Sequence, residues 1–519
     1  GFLFWNDNAN GTADSSGTFY NSGETYGYVF PFDQVQSGQS LTVPPIPGMA
    51  YVRSHEYNKS YFNPATTYEP WLGYDDSKSA EALNDPEENA GITNLTQTQA
   101  GTFDFRRGMT IPGSDGSSNI TYTCVNESLS FLTYTPSAQE IRNGACSQTF
   151  FGIRYRLVAS PGPSKPDEVV NSPARRQLTY FPATFFLKPG TSLPPEYGYK
   201  TTKIIQGKGP RAETLNGYEI KSDNFDSTAK YEKAIQNFAN WFTYYRKRHL
   251  ATRGGIVAAF EDIDDVRVGA CTINNRRDLR TGSSNLTMLE LNDSPTQANQ
   301  ASPREQFYSS VFNIDYTSNR GTPNREALKY LGSQLEGNRS IITAPCQRNF
   351  AILFTDGFSN PSTGHNVGNV DGNYGAPFAD SREDTIADIA MRYYKELDVP
   401  VTSLLKVPEA CKEENPPLEL DCETDLHMVT LGVTLGQRGV LFDPSQNYTD
   451  ERVYRTNPPN WSALPSLDNY GSEQIDDLWH ATINTRGKLL NARTPAEIAS
   501  AFSGALEEIL SAEGSFSGV

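Results

Sequence analysis

Phe350-Ala351-Ile352-Leu353-Phe354 runs without a polar residue into Thr355-Asp356-Gly357. Five apolar residues closed by a turn signal predict a strand buried on both faces, because a half-exposed strand alternates. His427 to Thr434 reads the same way, Val266 to Cys271 reads as a third strand, and Phe2-Leu3-Phe4-Trp5 as a fourth. Amphipathic segments lie between them. Thr322-Pro323 opens a helix carrying Ala327, Leu328, Leu331 and Leu335, and Ile386, Ile389, Ala390, Tyr393 and Leu397 share one helical face. Thr494-Pro495-Ala496-Glu497 is a capping box with proline at the first helical position, followed by Ile498, Phe502, Leu506 and Ile509. Asn237 to Phe260 predicts one long helix, with Phe238, Trp241, Phe242, Tyr245, His249 and Ile256 near one stripe. Buried strands alternating with such helices predict an α/β fold, a doubly wound and mostly parallel sheet covered on both faces.

Outward from that core the texture changes. The first strand ends at Trp5, yet no helical periodicity appears until about residue 237. Proline clusters such as Pro44-Pro45-Ile46-Pro47 and Pro161-Gly162-Pro163, with runs of Asn, Ser and Gly, predict strands and ordered loops in between. The expected organisation is a first strand in residues 1–7, a β/loop-rich insertion over 8–230, the rest of the α/β domain over 231–510, and a tail over 511–519.

At 519 residues the chain exceeds what one core supports, so more than one folding unit is expected. Its net charge of −17 repels phosphate backbones and anionic lipid, which argues against a nucleic-acid or membrane-surface role. The longest apolar runs, such as Gly255–Phe260, fall far short of the roughly 20 residues of a transmembrane helix. No charged-then-apolar targeting segment opens the chain, so residue 1 is expected to be a mature or trimmed terminus. With 27 Phe and 27 Tyr the composition is not that of a disordered chain.

The six cysteines include no CxxC pair. Cys124 with Cys146 and Cys411 with Cys422 close short loops in polar segments and read as disulfides of an exported protein; the competing reading is six unpaired thiols in a cytosolic one. Cys346 precedes the strand that ends at Asp356, so a structural bond is expected there rather than a functional thiol, with the partners of Cys271 and Cys346 left open. None of the five histidines sits in a GxSxG, HExxH or Cys-His context, and His480 reads as a packed side chain. The acids Glu261, Asp262, Asp264 and Asp265 read as a solvated turn. An enzyme is not indicated.

Ligands of an open α/β sheet bind beyond the carboxyl ends of its strands. Asp7, Thr322 and Asp356 are the residues expected to reach that edge, and their oxygens suit a hard cation such as Mg²⁺. Taken singly, Thr before Pro is an ordinary N-cap and Asp-Gly an ordinary turn.

The chain also resembles the PilY/PilC family, large proteins associated with the tip and assembly of bacterial type IV pilus fibres, in their von Willebrand factor A region. The matching segments are Tyr61-Phe62-Asn63-Pro64-Ala65-Thr66-Thr67-Tyr68-Glu69-Pro70-Trp71, Asn237 to Arg246, Gly321-Thr322-Pro323, Ala351 to Gly357, Ile386 to Ala390, and Asp477-Leu478-Trp479-His480-Ala481. The resemblance implies a von Willebrand A fold in an exported, extracellular protein of the pilus tip. It further implies roles in pilus assembly and cell adhesion, with minor pilins and a host or abiotic surface as partners. Such domains often carry a metal-ion-dependent adhesion site (MIDAS) for Mg²⁺ or Mn²⁺, a DxSxS segment followed by a Thr and an Asp. Thr322 and Asp356 fall on the last two positions. Asp7-Asn8-Ala9-Asn10-Gly11 keeps the Asp but has Ala9 and Gly11 in place of the serines, while Asp14, Ser16 and Thr18 form a rival first segment. The alternative is a purely structural assembly or capping factor with a vestigial metal site. Family members usually continue into a β-propeller, and no repeats of that kind appear in this sequence.

Overall fold

The computed structural model describes residues 47–73 and, apart from short gaps, 109–110, 120–161, 179–295, 300–314, 321–355 and 358–514. The chain forms two compact units, 1–251 and 252–519. The expected first strand at Phe2–Trp5 lies outside the described residues.

Unit 1 is built from antiparallel sheet and one long helix. A ribbon pairs β1 (Met109–Thr110) with β6 (Thr179–Tyr180). A four-stranded sheet comprises β2 (Ile120–Asn126), β3 (Thr133–Tyr134), β4 (Thr149–Phe150) and β5 (Ile153–Pro161), in the order β3-β2-β5-β4. The Cys124–Cys146 disulfide ties β2 to the segment leading into β4. A three-stranded sheet, β7-β9-β8, is made of β7 (Thr184–Leu187), β8 (Ile205–Lys208) and β9 (Thr214–Glu219).

Helix α1 (Thr228–Tyr244) starts at Ser227, whose hydroxyl accepts from the Lys230 amide. Its apolar face, Tyr231, Ile235, Phe238, Trp241 and Phe242, packs in one aromatic core with Tyr61, Phe62, Phe185 and Tyr218. The Tyr61–Trp71 segment lies along this helix. The Asn237 side chain accepts from the Tyr68 amide (2.7 Å) and donates to Thr66 O (2.8 Å). Asn240 donates to Tyr68 O, Tyr245 to Glu69 O, and the Trp71 indole to Tyr244 O. This loop, with prolines at 64 and 70, is thus fixed by Asn237, Asn240 and Tyr245, whose side chains satisfy part of its backbone. The single helix expected over 237–260 is two: α1 ends at Tyr244, and α2 (Arg248–Ala259) follows after a break.

Unit 2 carries the parallel sheet. Strands β10 (Arg267–Val268) and β11 (Leu289–Glu290) form a small antiparallel ribbon. This corrects the expectation that Val266–Cys271 joins the main sheet. The chain turns back at Ala270, whose carbonyl accepts from the Leu279 amide, and Cys271 bridges to Asp278. Helices α3 (Pro303–Phe312) and α4 (Asn324–Gly337) precede β12 (Asn349–Thr355). Then come α5 (Ile386–Lys395), β13 (Met428–Leu435), α6 (Glu473–Asn484), β14 (Leu489–Ala492) and α7 (Pro495–Gly514). Helix α7 runs into residues expected as tail.

Strands β12, β13 and β14 are neighbours in chain order, and both pairs are parallel, from Asn349↔Met428 to Thr355↔Thr434 and from Gly432↔Leu489 to Leu435↔Ala492. The fold is mixed α/β. The described strands show no reversal of order, so the crevice of a doubly wound sheet is not formed by them. Ala351, Leu353 and Met428 face α4, α5 and α6 in one core, while Phe354 stacks at 5.3 Å on Phe502 of α7 on the other side. Strand β13 is buried along nearly its whole length, whereas β12 alternates buried residues with half-buried Phe350, Ile352 and Phe354, so its apolar run covers one buried and one half-buried face.

Gly487, in the turn from α6 to β14, lets the chain pass against β13: a methyl group there would sit 1.9 Å from the Thr430 carbonyl oxygen. Gly487→Ala is therefore expected to lower the stability of unit 2 by about 1–3 kcal/mol through backbone displacement. An unchanged urea midpoint would show that the turn is not this tight.

The Cys411–Cys422 disulfide closes a short loop before β13. Cys271 and Cys346 are thiols, which corrects the expectation of a structural bond at Cys346; it is exposed, and Cys271 is half-buried. Desolvation pushes the Cys271 thiol up to about 11, so it is protonated and unreactive at neutral pH.

Candidate functional site at the carboxyl edge of the parallel sheet

Thr355 is the last residue of β12 and is buried, while Asp356 directly after it lies outside the described residues, as do Asp7, Asp14, Ser16 and Thr18. Of the residues expected to bind a cation, Thr322 alone is described. Pro323, not Thr322, is the N-cap of α4, and it supplies no side-chain hydrogen bond. Thr322 instead is bound through its backbone. Its amide donates to Asn360 Oδ1 (2.9 Å), and its carbonyl accepts from the Asn360 amide (2.9 Å) and the Ser359 hydroxyl (3.3 Å). Gly321 makes this approach with φ of +73°, and a Cβ there would strike the Asn360 side chain. The Thr322 turn is thereby fixed to the loop that follows β12. The buried Asn324 side chain next to it donates to Thr355 Oγ1 at 3.5 Å.

Behind this edge lies a buried acid network that the sequence reading did not identify. Asp477 of α6 accepts from the Ile386 and Ala387 amides, both at 3.2 Å, capping α5 from another helix. Its carboxylate also meets Arg325 Nη2 of α4 at 3.4 Å, with both side chains almost fully buried. Burial pushes the Asp477 carboxyl up, and Arg325 opposes that shift. Asp388 closes a capping box with Thr385 and accepts from the Val370 amide (2.8 Å); desolvation raises it to about 6. Asp371 accepts from Asn484 Nδ2 (2.8 Å) and the Asp380 amide (3.2 Å), and burial, with Asp388 nearby, raises it to about 7.

His480 is 2% exposed. Its Nε2 lies 2.5 Å from Phe378 O and 3.5 Å from Asp371 Oδ2, and its ring stacks on Trp461 at 4.2 Å. Desolvation drops it to about 3, so it is neutral, donating to the Phe378 carbonyl. A neutral imidazole sealed between Trp461 and the 371–380 loop reaches no solvent and exchanges no proton with a substrate.

A cleft of 320 Å³ opens beside the network, lined among others by Arg325, Arg382, Thr385, Ser466, Leu467 and Asp468. Arg382 donates to Leu464 O (2.7 Å) and Pro465 O (3.0 Å), and Arg325 to Leu467 O (3.3 Å). Both guanidinium groups therefore hold the 464–467 loop in place. Among the described residues no group of three His, Cys, Asp or Glu side chains is arranged to hold a metal ion. The arrangement binds loops to helix ends and orients the edge; a nucleophile paired with a base does not occur in it. The one local signal for the network was Asp388 three residues after Thr385. The Asn484 partner of Asp371 and the Ile386 and Ala387 amides on Asp477 lie about 90 or more residues away and left no local trace.

Three curated proteins with the name type IV pilus biogenesis factor PilY1, from strains PAK, PAO1 and UCBPP-PA14 of Pseudomonas aeruginosa, are similar to this chain. The PAK protein is 28% identical over 310 residues and the PAO1 protein 29% over 313 residues. Each alignment covers 53% of this chain and 26% of the relative, so the match spans about a quarter of the length of those proteins. No family model matches the chain, and no solved structure does.

Proposed function

We propose that this chain is a von Willebrand factor A region of a type IV pilus biogenesis factor, exported and placed at the pilus tip. There it acts in pilus assembly and surface adhesion by binding minor pilins and an external surface, as a binding protein rather than an enzyme. The similarity to the PilY1 proteins over half of the chain carries the reading. The two disulfides support an oxidising, extracellular destination, and the parallel sheet with helices on both faces is compatible with the fold proposed. In the same reading Phe2–Trp5 supplies the first strand, the antiparallel part of unit 1 is an insertion into the domain, and among the described residues no helix is long and apolar enough to cross a membrane.

The test is deletion of the coding segment in the organism that carries it, followed by counts of surface pili and of attached cells. Loss of both is expected. Normal piliation together with normal attachment would overturn the proposal. Normal attachment per remaining pilus would favour the structural assembly factor, a reading prompted by Ala9 and Gly11 at the serine positions of the first metal segment.

The proposed cation site consists of Asp7, Thr322 and Asp356, with Asp14, Ser16 and Thr18 as the rival first segment, and takes Mg²⁺ or Mn²⁺. A cation that binds only the folded state raises the melting temperature by mass action. Melts in Mg²⁺ or Mn²⁺ are expected to lie a few degrees above melts in EDTA, with the difference lost in Asp356→Ala. Identical melts in all three buffers would mark the site as vestigial.

A further inference from the structure

The four-stranded sheet of unit 1 ends in two loops that carry exposed apolar side chains. Phe151 is 90% exposed, Phe131 77%, Phe150 38% and Leu129 37%. They belong to one end of one sheet. Asn126 pairs with Tyr155 at the last rung between β2 and β5, and the Glu127 amide donates to Arg154 O, binding the β2–β3 loop to the β4–β5 hairpin. We propose that this tip inserts into the interfacial region of a zwitterionic lipid bilayer, with Phe131 and Phe151 as its anchors.

The described residues of the tip are held together by hydrogen bonds of their own. Asn126 Oδ1 accepts from the Ser128 and Leu129 amides, and the Leu132 amide donates to Leu129 O. Glu140 gathers the Ser147 amide and hydroxyl, the Ser137 amide and the Tyr134 hydroxyl, and the Cys124–Cys146 disulfide clamps the same region. Insertion then orders little that is not ordered already.

The tip is also strained in a way that its own packing does not explain. Phe150 pairs with Ile153, which leaves Phe151-Gly152 as a two-residue turn, and both residues have positive φ, +48° and +78°. Such turns favour Asn-Gly, and a bulky side chain in the left-handed region is an outlier. Among the described residues the Phe151 ring meets Phe150 (4.6 Å, near perpendicular), and its side chain is otherwise largely exposed. A large apolar residue held in an unfavourable conformation where it packs so little fits a binding role rather than a structural one.

Shape and charge select the occupant. The apolar groups project from loop ends instead of lining a groove, which suits a deformable interface where aromatic rings partition well. Residues 127–132 contain one acid, Glu127, and residues 147–154 one base, Arg154, so the tip is neutral in a chain of net charge −17. The charge of −17 that argues against a membrane-surface role acts through anionic lipid, which would repel the rest of the chain; a zwitterionic bilayer carries no such net charge, so that exclusion does not reach it.

Flotation with phosphatidylcholine vesicles tests the proposal on the whole chain, comparing it with Phe151→Asn, Phe131→Ser and the double variant. Asparagine is favoured at that turn position, so Phe151→Asn is expected to melt at or above the parent temperature and cannot fail merely by unfolding. The parent should float with the vesicles. Each single variant should partition about tenfold less and the double variant about a hundredfold less, as loss of a buried phenyl group implies. Adding phosphatidylglycerol should weaken the binding of the parent. Three results would overturn the proposal: no association with phosphatidylcholine, undiminished association of the double variant, or a tip-dependent self-association in sedimentation without vesicle binding, which would assign the surface to a second copy.

Discussion

Asp477→Ala is expected to lower the unfolding free energy of unit 2 by about 3–5 kcal/mol, the range seen when one partner of a buried ion pair is removed. Three losses coincide. Arg325, 4% exposed, gives up a buried counter-charge, and the Ile386 and Ala387 amides at the start of α5 lose their acceptor. Burial of the carboxyl offsets part of this, since an ionised Asp477 is itself costly to desolvate. Asp477→Asn separates the terms. It keeps one oxygen for the amides but no charge for Arg325, and should fall between the parent and the alanine variant. Urea unfolding followed by tryptophan fluorescence measures both, as Trp461 and Trp479 are buried in this unit. A change below about 1 kcal/mol for alanine would mean that the contacts of Asp477 contribute nothing net.

Asp371→Asn should change how stability depends on pH. Asp371 sits at about 7 in the fold against an ordinary 3.8, so the folded chain holds a proton that the unfolded chain releases. Its contribution is complete below about pH 4 and is lost as pH rises through 7. Asp388, at about 6, acts in the same direction over a narrower window. His480, lowered to about 3, acts oppositely: its contribution is present above 6.5 and lost as pH falls towards 3. Asparagine keeps the size of Asp371 and an oxygen for Asn484 Nδ2 but has no proton to lose. Relative to the parent, Asp371→Asn should therefore gain about 4 kcal/mol between pH 4 and pH 8. Parallel stability curves across that range would show that Asp371 titrates like a solvated carboxylate.

Much of unit 2 is legible in the sequence because its signals are local. The apolar runs at 350–354 and 427–434 are β12 and β13, and the periodic residues from Ile386 and from Pro495 are α5 and α7. Two departures share one cause. Val266–Cys271 has the composition of a strand but turns away at Ala270, where Asp278 collects the amides of Arg280, Thr281 and Thr287. Likewise the stripe from Phe238 to Ile256 continues through a break in the helix, since periodicity records which residues are buried and not whether the backbone between them is continuous.

By itself the sequence determined strands β12 and β13, helices α4, α5 and α7, the two cysteine pairs and the resemblance to pilus-associated proteins. Each rests on neighbouring residues or on short segments in a fixed order. Only the tertiary structure decided that Tyr61–Trp71 lies along α1, that Asp371, Asp388 and Asp477 share a buried network with His480, and that Leu129, Phe131, Phe150 and Phe151 come together at one exposed tip. Desolvation and hydrogen bonding between residues far apart in the chain depend on where the backbone returns, and no local pattern encodes that return.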